Sequence, residues 1–274
     1  MLKLNKVSHP LCKIEGGKYN GLVVSVSDGG GHDKNAEPHS LLREFQQLRI
    51  TNDSKFQHVP DTTKEREILY ITGPSGSGKS TCARKYLEQY KTKHKGRPIY
   101  LFSSLSSDES LDKIKPKRIK MDESMRQDPL KIDELADSVC IFDDIDVIAD
   151  KKIRDAVYNI LSQALEIGRH FQATLVVTNH LPTSGKDTRR VLNEARAVAY
   201  FPRSAGGRIR YLLESYAGLD KAQLKSLNKQ NARWVTLYKN YPGVYMAEHE
   251  MSLLHLDEID DDQEEQQSRE EIAA

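Results

Sequence analysis

The sequence predicts an α/β fold: a three-layer αβα sandwich with a mostly parallel central sheet. Three observations predict it. From Arg66 onward, apolar runs of strand length alternate with amphipathic segments of helix length, the pattern of parallel strands covered on both faces. A glycine-rich segment, Gly73 to Thr81, stands between one such run and one such helix. A further apolar run ends abruptly in two acids, Asp143-Asp144.

Residues 1–65 read as an amino-terminal strand and loop region packed on the core. Within it, Gly21 to Ser27 is a strand, Asp28 to Asp33 a glycine-rich turn or loop, 40–50 a short helix by its apolar spacing, and 51–64 a polar loop. Residues 66–256 read as the main domain. Ile68 to Ile71 is a buried strand, and Ser80 to Lys93 a helix with Ala83, Leu87 and Tyr90 on one stripe. Pro98 to Phe102 is a strand, and Arg118 to Met121 a short one. Ser138 to Phe142 is a strand, followed by a long amphipathic helix from Lys152 to Arg169. Ala173 to Val177 is a buried strand, 188–196 a helix and Ala197 to Phe201 a strand. Helices at 208–216 and 220–230 and strands at 233–239 and 243–247 complete the domain. Residues 257–274 read as a disordered acidic tail.

Charge and composition narrow the function classes. The 274 residues carry a net charge of +1. From Asp257 to the end there are nine acids and one base, a net −8, so residues 1–256 carry +9. A basic body admits a polyanionic partner. No apolar run approaches the roughly 18–20 residues of a membrane span, and the first residues lack the apolar stretch of a secretory signal. Three widely spaced cysteines, Cys12, Cys82 and Cys140, argue against a disulfide framework or zinc ribbon and for a reducing compartment, cytosol or nucleus.

The chemistry sits in GPSGSGKST, residues 73–81, the P-loop pattern in its strand–helix setting. Gly73, Pro74, Ser75, Gly76, Ser77, Gly78, Lys79, Ser80 and Thr81 are the candidate nucleotide-binding residues. Glycines let the backbone wrap a phosphate chain while successive N–H groups and the helix N-terminus face the anion. Lys79 is expected to reach the β- and γ-phosphates of ATP, and the Ser80 hydroxyl to bind Mg²⁺. Such a site needs an acid at the end of a neighbouring strand. Asp143 fills that position, holding Mg²⁺, and Asp144 beside it is the candidate general base.

Motor-type ATPases, unlike small-molecule kinases, pair a second acid with the metal-binding one. They also insert a strand with a polar tip between the P-loop strand and the acidic strand. Leu175 to Val177 followed by Thr178-Asn179-His180 fits, with Asn179 as the candidate sensor of the γ-phosphate or holder of the lytic water. His180 is the weaker candidate, since a surface or structural histidine explains it equally well. An arginine from a neighbouring subunit commonly completes these sites. Arg169, Arg189, Arg190 and Arg196 lie near the sensor strand, with Arg190 favoured. Two basic clusters, Lys91, Lys93, Lys95 and Arg97, and Lys113, Lys115, Lys117, Arg118 and Lys120, are candidate phosphate contacts to nucleic acid or simply solvated faces.

The order GPSGSGKST, SVCIFDDID, Gly168-Arg169-His170, LVVTNHLP and the double arginine, with the later segments AVAYFPRS, RYLLESYAGLD and NARWVTLYKNYPGVYMAEHEMSLL, resembles the poxvirus-type DNA-packaging ATPases of nucleo-cytoplasmic large DNA viruses, in the FtsK/HerA superfamily. The resemblance covers roughly residues 66–255. It implies a RecA-like P-loop NTPase fold, a ring-like homo-oligomer, and translocation of double-stranded DNA into a preformed capsid with a capsid or portal partner, in the host cytoplasm at the assembly site and in the virion. Lys79 and Ser80 match the Walker A positions and Asp143 and Asp144 the Walker B pair. Asn179 stands where the superfamily often has Gln. The residues leave open another DNA-dependent ATPase with the same site (a helicase or loader), a nucleoside or small-molecule kinase, and a non-catalytic nucleotide-binding protein. They also leave ATP and GTP undistinguished.

Overall fold

The structure is a computed structural model that describes residues 1–4, 9–27, 44–61, 63–64, 66–183, 185–204, 207–229, 232–240 and 242–254. The loop read at 28–33, the start of the helix read at 40–50 and the acidic tail lie outside the described residues.

The amino-terminal strands are β1 (Leu2–Lys3), β2 (His9–Gly16), β3 (Val23–Val26), β4 (Glu44–Phe45), β5 (Gln47–Arg49) and β6 (Ser54–His58). Then come β7 (Ile68–Thr72), α1 (Lys79–Lys93), β8 (Ile99–Ser103), β9 (Lys117–Ile119), α2 (Ser124–Gln127) and β10 (Val139–Asp143). They are followed by α3 (Lys151–Ile167), β11 (Thr174–Asn179), α4 (Gly185–Glu194), β12 (Ala197–Tyr200), α5 (Gly207–Ala217) and α6 (Lys221–Lys229). β13 (Val235–Tyr238), β14 (Val244–Ala247) and β15 (Glu250–Leu253) close the chain.

The main sheet runs β5-β15-β14-β13-β12-β7-β11-β10-β8-β9. The six strands from β12 to β9 are parallel, and the C-terminal hairpins extend them antiparallel. This is the mostly parallel, helix-flanked sheet of a RecA-like P-loop NTPase. Strand periodicity sorts its two faces. Tyr70, Cys140, Phe142, Leu175 and Val177 point to one core, and Leu69, Ile71, Val139, Ile141 and Val176 to the other. The first face is covered by α3 to α6. α3 starts where the Asp150 carboxylate accepts the Lys152 and Ile153 N–H groups, and it buries Val157, Ile160, Leu161, Ala164 and Leu165.

The second face is not covered by helix alone. α1 shares it with a five-stranded antiparallel sheet, β4-β1-β3-β2-β6, which contributes Leu2, Leu11, Ile14, Val24, Val26 and Phe56 to that core. Two amino-terminal readings are therefore corrected. The described part of the 40–50 segment forms strands β4 and β5, because Leu48 and Ile50 alternate with exposed Gln47 and Arg49 and β15 offers an edge to pair with. The 51–64 segment contains β6, whose polar residues are buried in specific contacts. Ser54 Oγ donates to the Gly16 carbonyl (3.2 Å), and His58 Nε2 lies 2.6 Å from Thr236 Oγ1.

Arg196 joins the two sheets. It is half-buried against Asp61 (3.4 Å) and Glu67 and donates to the Pro10 carbonyl (3.0 Å). That contact set makes it a structural residue rather than an arginine reaching toward a neighbour.

Candidate active site

Strand β11 lies between β7 and β10. Its register brings Thr178 beside both Ile71 and Asp143, and Asn179 beside Thr72. On the far side of β10, Ser103 is level with Asp143. The C-terminal ends of four parallel strands thus gather the P-loop, the acid pair and the Thr-Asn-His tip at one edge, where ligands bind in open α/β sheets.

The P-loop turns at Gly76 (φ 74°) and Gly78 (φ 112°), left-handed positions that a side chain disfavours. Gly73 is needed for a different reason: a Cβ there would fall 2.7 Å from Ser77 Oγ and 2.8 Å from the Phe201 ring. Pro74, Ser75 and Gly76 are exposed, Ser77 is buried, and Ser80 is half-buried on the first turn of α1. Lys79 is 5% exposed. Its amine donates to the Gly73 carbonyl (3.0 Å) and lies 3.4 Å from Asp144 Oδ2 and 3.5 Å from His180 Nδ1.

Asp143 is 3% exposed. The Thr178 hydroxyl donates to its Oδ1 (2.9 Å) and the Ser103 hydroxyl to its Oδ2 (3.0 Å). Burial, then the charge of Asp144, pushes its pKa above the ordinary carboxylate value, against the two hydroxyls. Asp146 is raised by the same two causes. Asp144 takes a left-handed backbone (φ 46°), a strained turn that costs about 1–3 kcal/mol. It is held there because its N–H donates to the Thr178 carbonyl (3.1 Å) and hydroxyl (3.0 Å). The turn brings its carboxylate to Lys79 and to His180 Nε2 (3.0 Å).

The surroundings fit a phosphate chain and a divalent cation. Crowded, desolvated carboxylates favour a cation, and the buried Thr72 Oγ1, Ser77 Oγ and Asn179 Oδ1 have no hydrogen-bond partner. Among the described residues, no three His, Cys, Asp or Glu side chains converge to hold a metal. A cation here would draw on Asp143, Ser80 and phosphate oxygens, the habit of Mg²⁺.

Of the expected residues, the structure brings together Lys79, Asp143, Asp144 and Asn179. Arg190 is elsewhere: on α4, bonded through its guanidinium to Ser162 Oγ of α3 (3.0 Å) and 4.0 Å from Glu166. Sequence reasoning missed Ser103 and the Thr178 hydroxyl, and undervalued His180. The available signal was positional: each is a polar residue at or just past the end of an apolar strand.

A family model described as an AAA domain matches residues 62–184. The uncharacterized protein V3 of Sputnik virophage is 37% identical over 243 residues, which are 88% of this chain and 94% of V3. The chain belongs to the family of V3. With its intact site, it is a P-loop ATPase. Among solved structures, the ATPase is similar to the genome packaging NTPase B204 of Sulfolobus turreted icosahedral virus 2 in complex with AMP, at 16% identity and TM-score 0.46 over 65% of this chain and 95% of that one. It is also similar to the pCW3 conjugation coupling protein TcpA with ATPγS, at 14% identity and TM-score 0.43 over 92% of this chain and 78% of that one. These likenesses are distant; V3 shows the family, and the AAA domain and the site make the chain an ATPase.

Proposed function

We propose that this ATPase is a motor that translocates double-stranded viral DNA into a preformed capsid, working as a ring-like homo-oligomer on a capsid or portal partner. The observation that carries the motor reading is the insertion of β11 between β7 and β10. It sets Asn179 between the P-loop and the acid pair, where a hydrolase needs to hold water. A small-molecule kinase has no use for a water holder there. Residues 66–256 are the motor domain in this reading, residues 1–65 pack on it, and residues 257–274 form an acidic tail. The site of action is the assembly site in the host cytoplasm, and the protein also travels in the virion.

Support for DNA comes from the basic clusters. Lys91 Nζ donates to the Ile114 carbonyl (3.2 Å), which joins the end of α1 to the Lys113–Lys120 segment along the β9 edge. Part of each cluster is otherwise engaged: Arg97 pairs with Asp137 (3.1 Å) and Arg118 with Asp112 (2.6 Å). The remaining lysines supply phosphate contacts without base readout. No helix among the described residues is long and apolar enough to cross a membrane.

In the proposed mechanism the P-loop backbone and Lys79 bind the triphosphate of ATP. Lys79 exchanges its contact with Asp144 for the β- and γ-phosphates. Asp143 and Ser80 would hold Mg²⁺, which would neutralise charge on the phosphate oxygens. Asp144, still paired with His180, takes the proton of the water that Asn179 orients, and Arg190 acts on the nucleotide of a neighbouring subunit. Positioning and electrostatics supply most of the rate.

The test is ATP hydrolysis by the purified protein with and without duplex DNA, beside Lys79→Ala. Hydrolysis stimulated by duplex and lost in the variant is the expected result. Hydrolysis indifferent to DNA, or dependent on a small-molecule acceptor, would overturn the motor reading.

A further inference from the structure

Two open clefts of about 610 and 290 Å³ meet at the N-terminal ends of the parallel strands, the sheet edge opposite the P-loop. They share Arg66, Arg169 and Glu194 and so form one groove. Arg66 lies two residues before β7, Arg169 and His170 stand between α3 and β11, and Arg190 is on the second half of α4. Lys64 extends the basic lining at one end, where Glu67 is already taken by Arg196. The other acids of the lining stand off from their partners: Arg190 is 4.0 Å from Glu166 and Arg66 is 3.8 Å from Glu194. Neither pair closes to hydrogen-bond distance.

Three observations say what fills the groove. The first is charge. Arg66 is fixed on the floor, donating to the Ala164 and Leu165 carbonyls at the end of α3. Burial lowers its pKa, Glu194 raises it and Arg169 lowers it further, so a carboxylate arriving between the guanidiniums is stabilised. The second is where the chain leaves the described residues. Ala197 at the start of β12 pairs with Tyr238, Tyr238 with Val244, and Val244 with Leu253. The end of β15 therefore lies on the same sheet edge as the groove. Leu254, whose N–H donates to the Gly243 carbonyl (2.8 Å), packs in the core under α3 to α6, the face that carries the groove. The third is reach. β7 and β11 are four and five strands from β15, about 19–24 Å at ~4.8 Å per spacing. An extended chain covers at most about 3.3–3.6 Å per residue, so about seven residues beyond Leu254 span that distance. They arrive at the densest acidic run, Asp260, Asp261, Asp262, Glu264 and Glu265. The basic edge at β9 is eight strands away, about 38 Å, beyond the reach of that run.

We propose that this groove is the docking site of the chain's own acidic tail, with the run Asp260 to Glu265 set against Arg66, Arg169 and Arg190. The net −8 of residues 257–274 and the +9 of residues 1–256 are then in part an internal ion pairing. Tethering favours the tail of the same chain over that of another copy, because a short linker holds it at an effective concentration in the millimolar range. A docked tail covers Arg190, the arginine that the motor reading lends to a neighbouring subunit, and a polyanion must displace it to reach the groove. The docking itself stands without the motor reading.

The test places a photo-cross-linker in the full chain, Gln263→p-benzoylphenylalanine, and maps the products by mass spectrometry in a mixture of light and isotope-heavy protein. Expected are cross-links within one copy, to peptides containing residues 64–66, 162–170 or 189–194, with a yield that falls as salt is raised. Each exposed ion pair is worth a factor of about 1.4 to 5 in an equilibrium. Replacing Asp260, Asp261, Asp262, Glu264 and Glu265 by their amides removes the pairs to three arginines, so the groove cross-links are expected to fall about threefold or more. These substitutions lie outside the groove and leave its lining as it is. Arg169→Glu with Arg190→Glu is expected to give the same loss from the other side. Cross-links confined to residues 91–97 or 113–120 would assign the tail to the other basic clusters and overturn the proposal. So would products that join light to heavy copies, or a yield that neither salt nor the neutralised tail changes. None of these readouts involves ATP, so their failure leaves the motor reading standing.

Discussion

Thr178 is the residue on which the acid pair turns, and removing its hydroxyl is the sharpest perturbation the structure offers. Thr178 is fully buried. Its single proton is shared between Asp143 Oδ1 at 2.9 Å and Asp144 Oδ1 at 3.2 Å. Its oxygen also accepts from the Asp144 N–H at 3.0 Å. Val has nearly the same shape, so Thr178→Val deletes the hydroxyl without opening a cavity. The Asp144 N–H is not orphaned, because it keeps the Thr178 carbonyl at 3.1 Å. The loss is then one hydrogen bond to an ionised carboxylate, about 1.5–3 kcal/mol. Expressed in stability, at about 2–4 °C per kcal/mol for a chain of this size, the melting temperature falls by about 3–12 °C. Expressed wholly in the hydrolytic transition state, the same energy lowers turnover roughly 10- to 160-fold. The Thr178 bond lowers the pKa of Asp143, so the acid limb of the turnover profile moves to higher pH in the variant. The assays are thermal denaturation and steady-state ATP hydrolysis against pH, beside Thr178→Ser. Ser retains the hydroxyl and is expected to recover most of the turnover. A Val variant with wild-type stability, turnover and profile would refute the reasoning. So would a Ser variant as impaired as Val, since the hydroxyl would then not be what holds the carboxylates.

Other perturbations follow from the same geometry. The raised pKa of Asp143 means that its charged form opposes folding: its contribution is favourable at low pH and is lost as pH rises through the folded-state value. Asp143→Asn is expected to abolish hydrolysis yet raise the stability of the nucleotide-free, Mg²⁺-free protein at neutral pH, with the advantage shrinking on acidification in urea titrations. Arg196→Ala strands the buried Asp61 and Glu67, so a loss of about 3–5 kcal/mol is expected by denaturant unfolding; a stable variant deficient only in turnover would return Arg196 to the catalytic candidates. His58 has its pKa lowered to about 3 from 6.5, so the unfolded chain takes up that proton first and stability falls as pH drops from about 6.5 to about 3. His58→Phe is expected to flatten that part of the stability–pH curve. Replacing Lys115 and Lys117 with Glu is expected to weaken duplex stimulation of hydrolysis, most at low salt, while leaving DNA-free turnover intact; stimulation equal to wild type would remove the β9 edge from the DNA surface.

Several features were legible because they depend on local pattern. The glycine and Lys-Ser spacing of the P-loop, the apolar run ending in Asp143-Asp144, and the alternation of buried strands with amphipathic helices each follow from steric or solvation rules acting over a few residues. The polar tip on the apolar run of β11 fits the inserted strand of motor-type ATPases, but its place between β7 and β10 is set by pairing. What could not be read was anything set by pairing between distant segments. β6 is polar in sequence and a strand in fact, because β2 pairs with it and Thr236, 178 residues further on, partners its histidine. Leu48 and Ile50 satisfy a short helix as well as a strand until the β15 edge decides between them.

The same division holds at the site. Sequence alone singled out Lys79, Ser80, Asp143 and Asp144, by residue type and spacing, as the groups proposed to carry phosphate and proton chemistry. Tertiary structure decided how those groups are poised. It tied Asp143 to Ser103 and Thr178, turned Asp144 into a left-handed conformation facing Lys79 and His180, and committed Arg196 to the joint between the sheets. The reason is physical. The identity of a reactive group is covalent and local, whereas its burial, partners and pKa are set by whatever the fold carries to within a few ångströms of it.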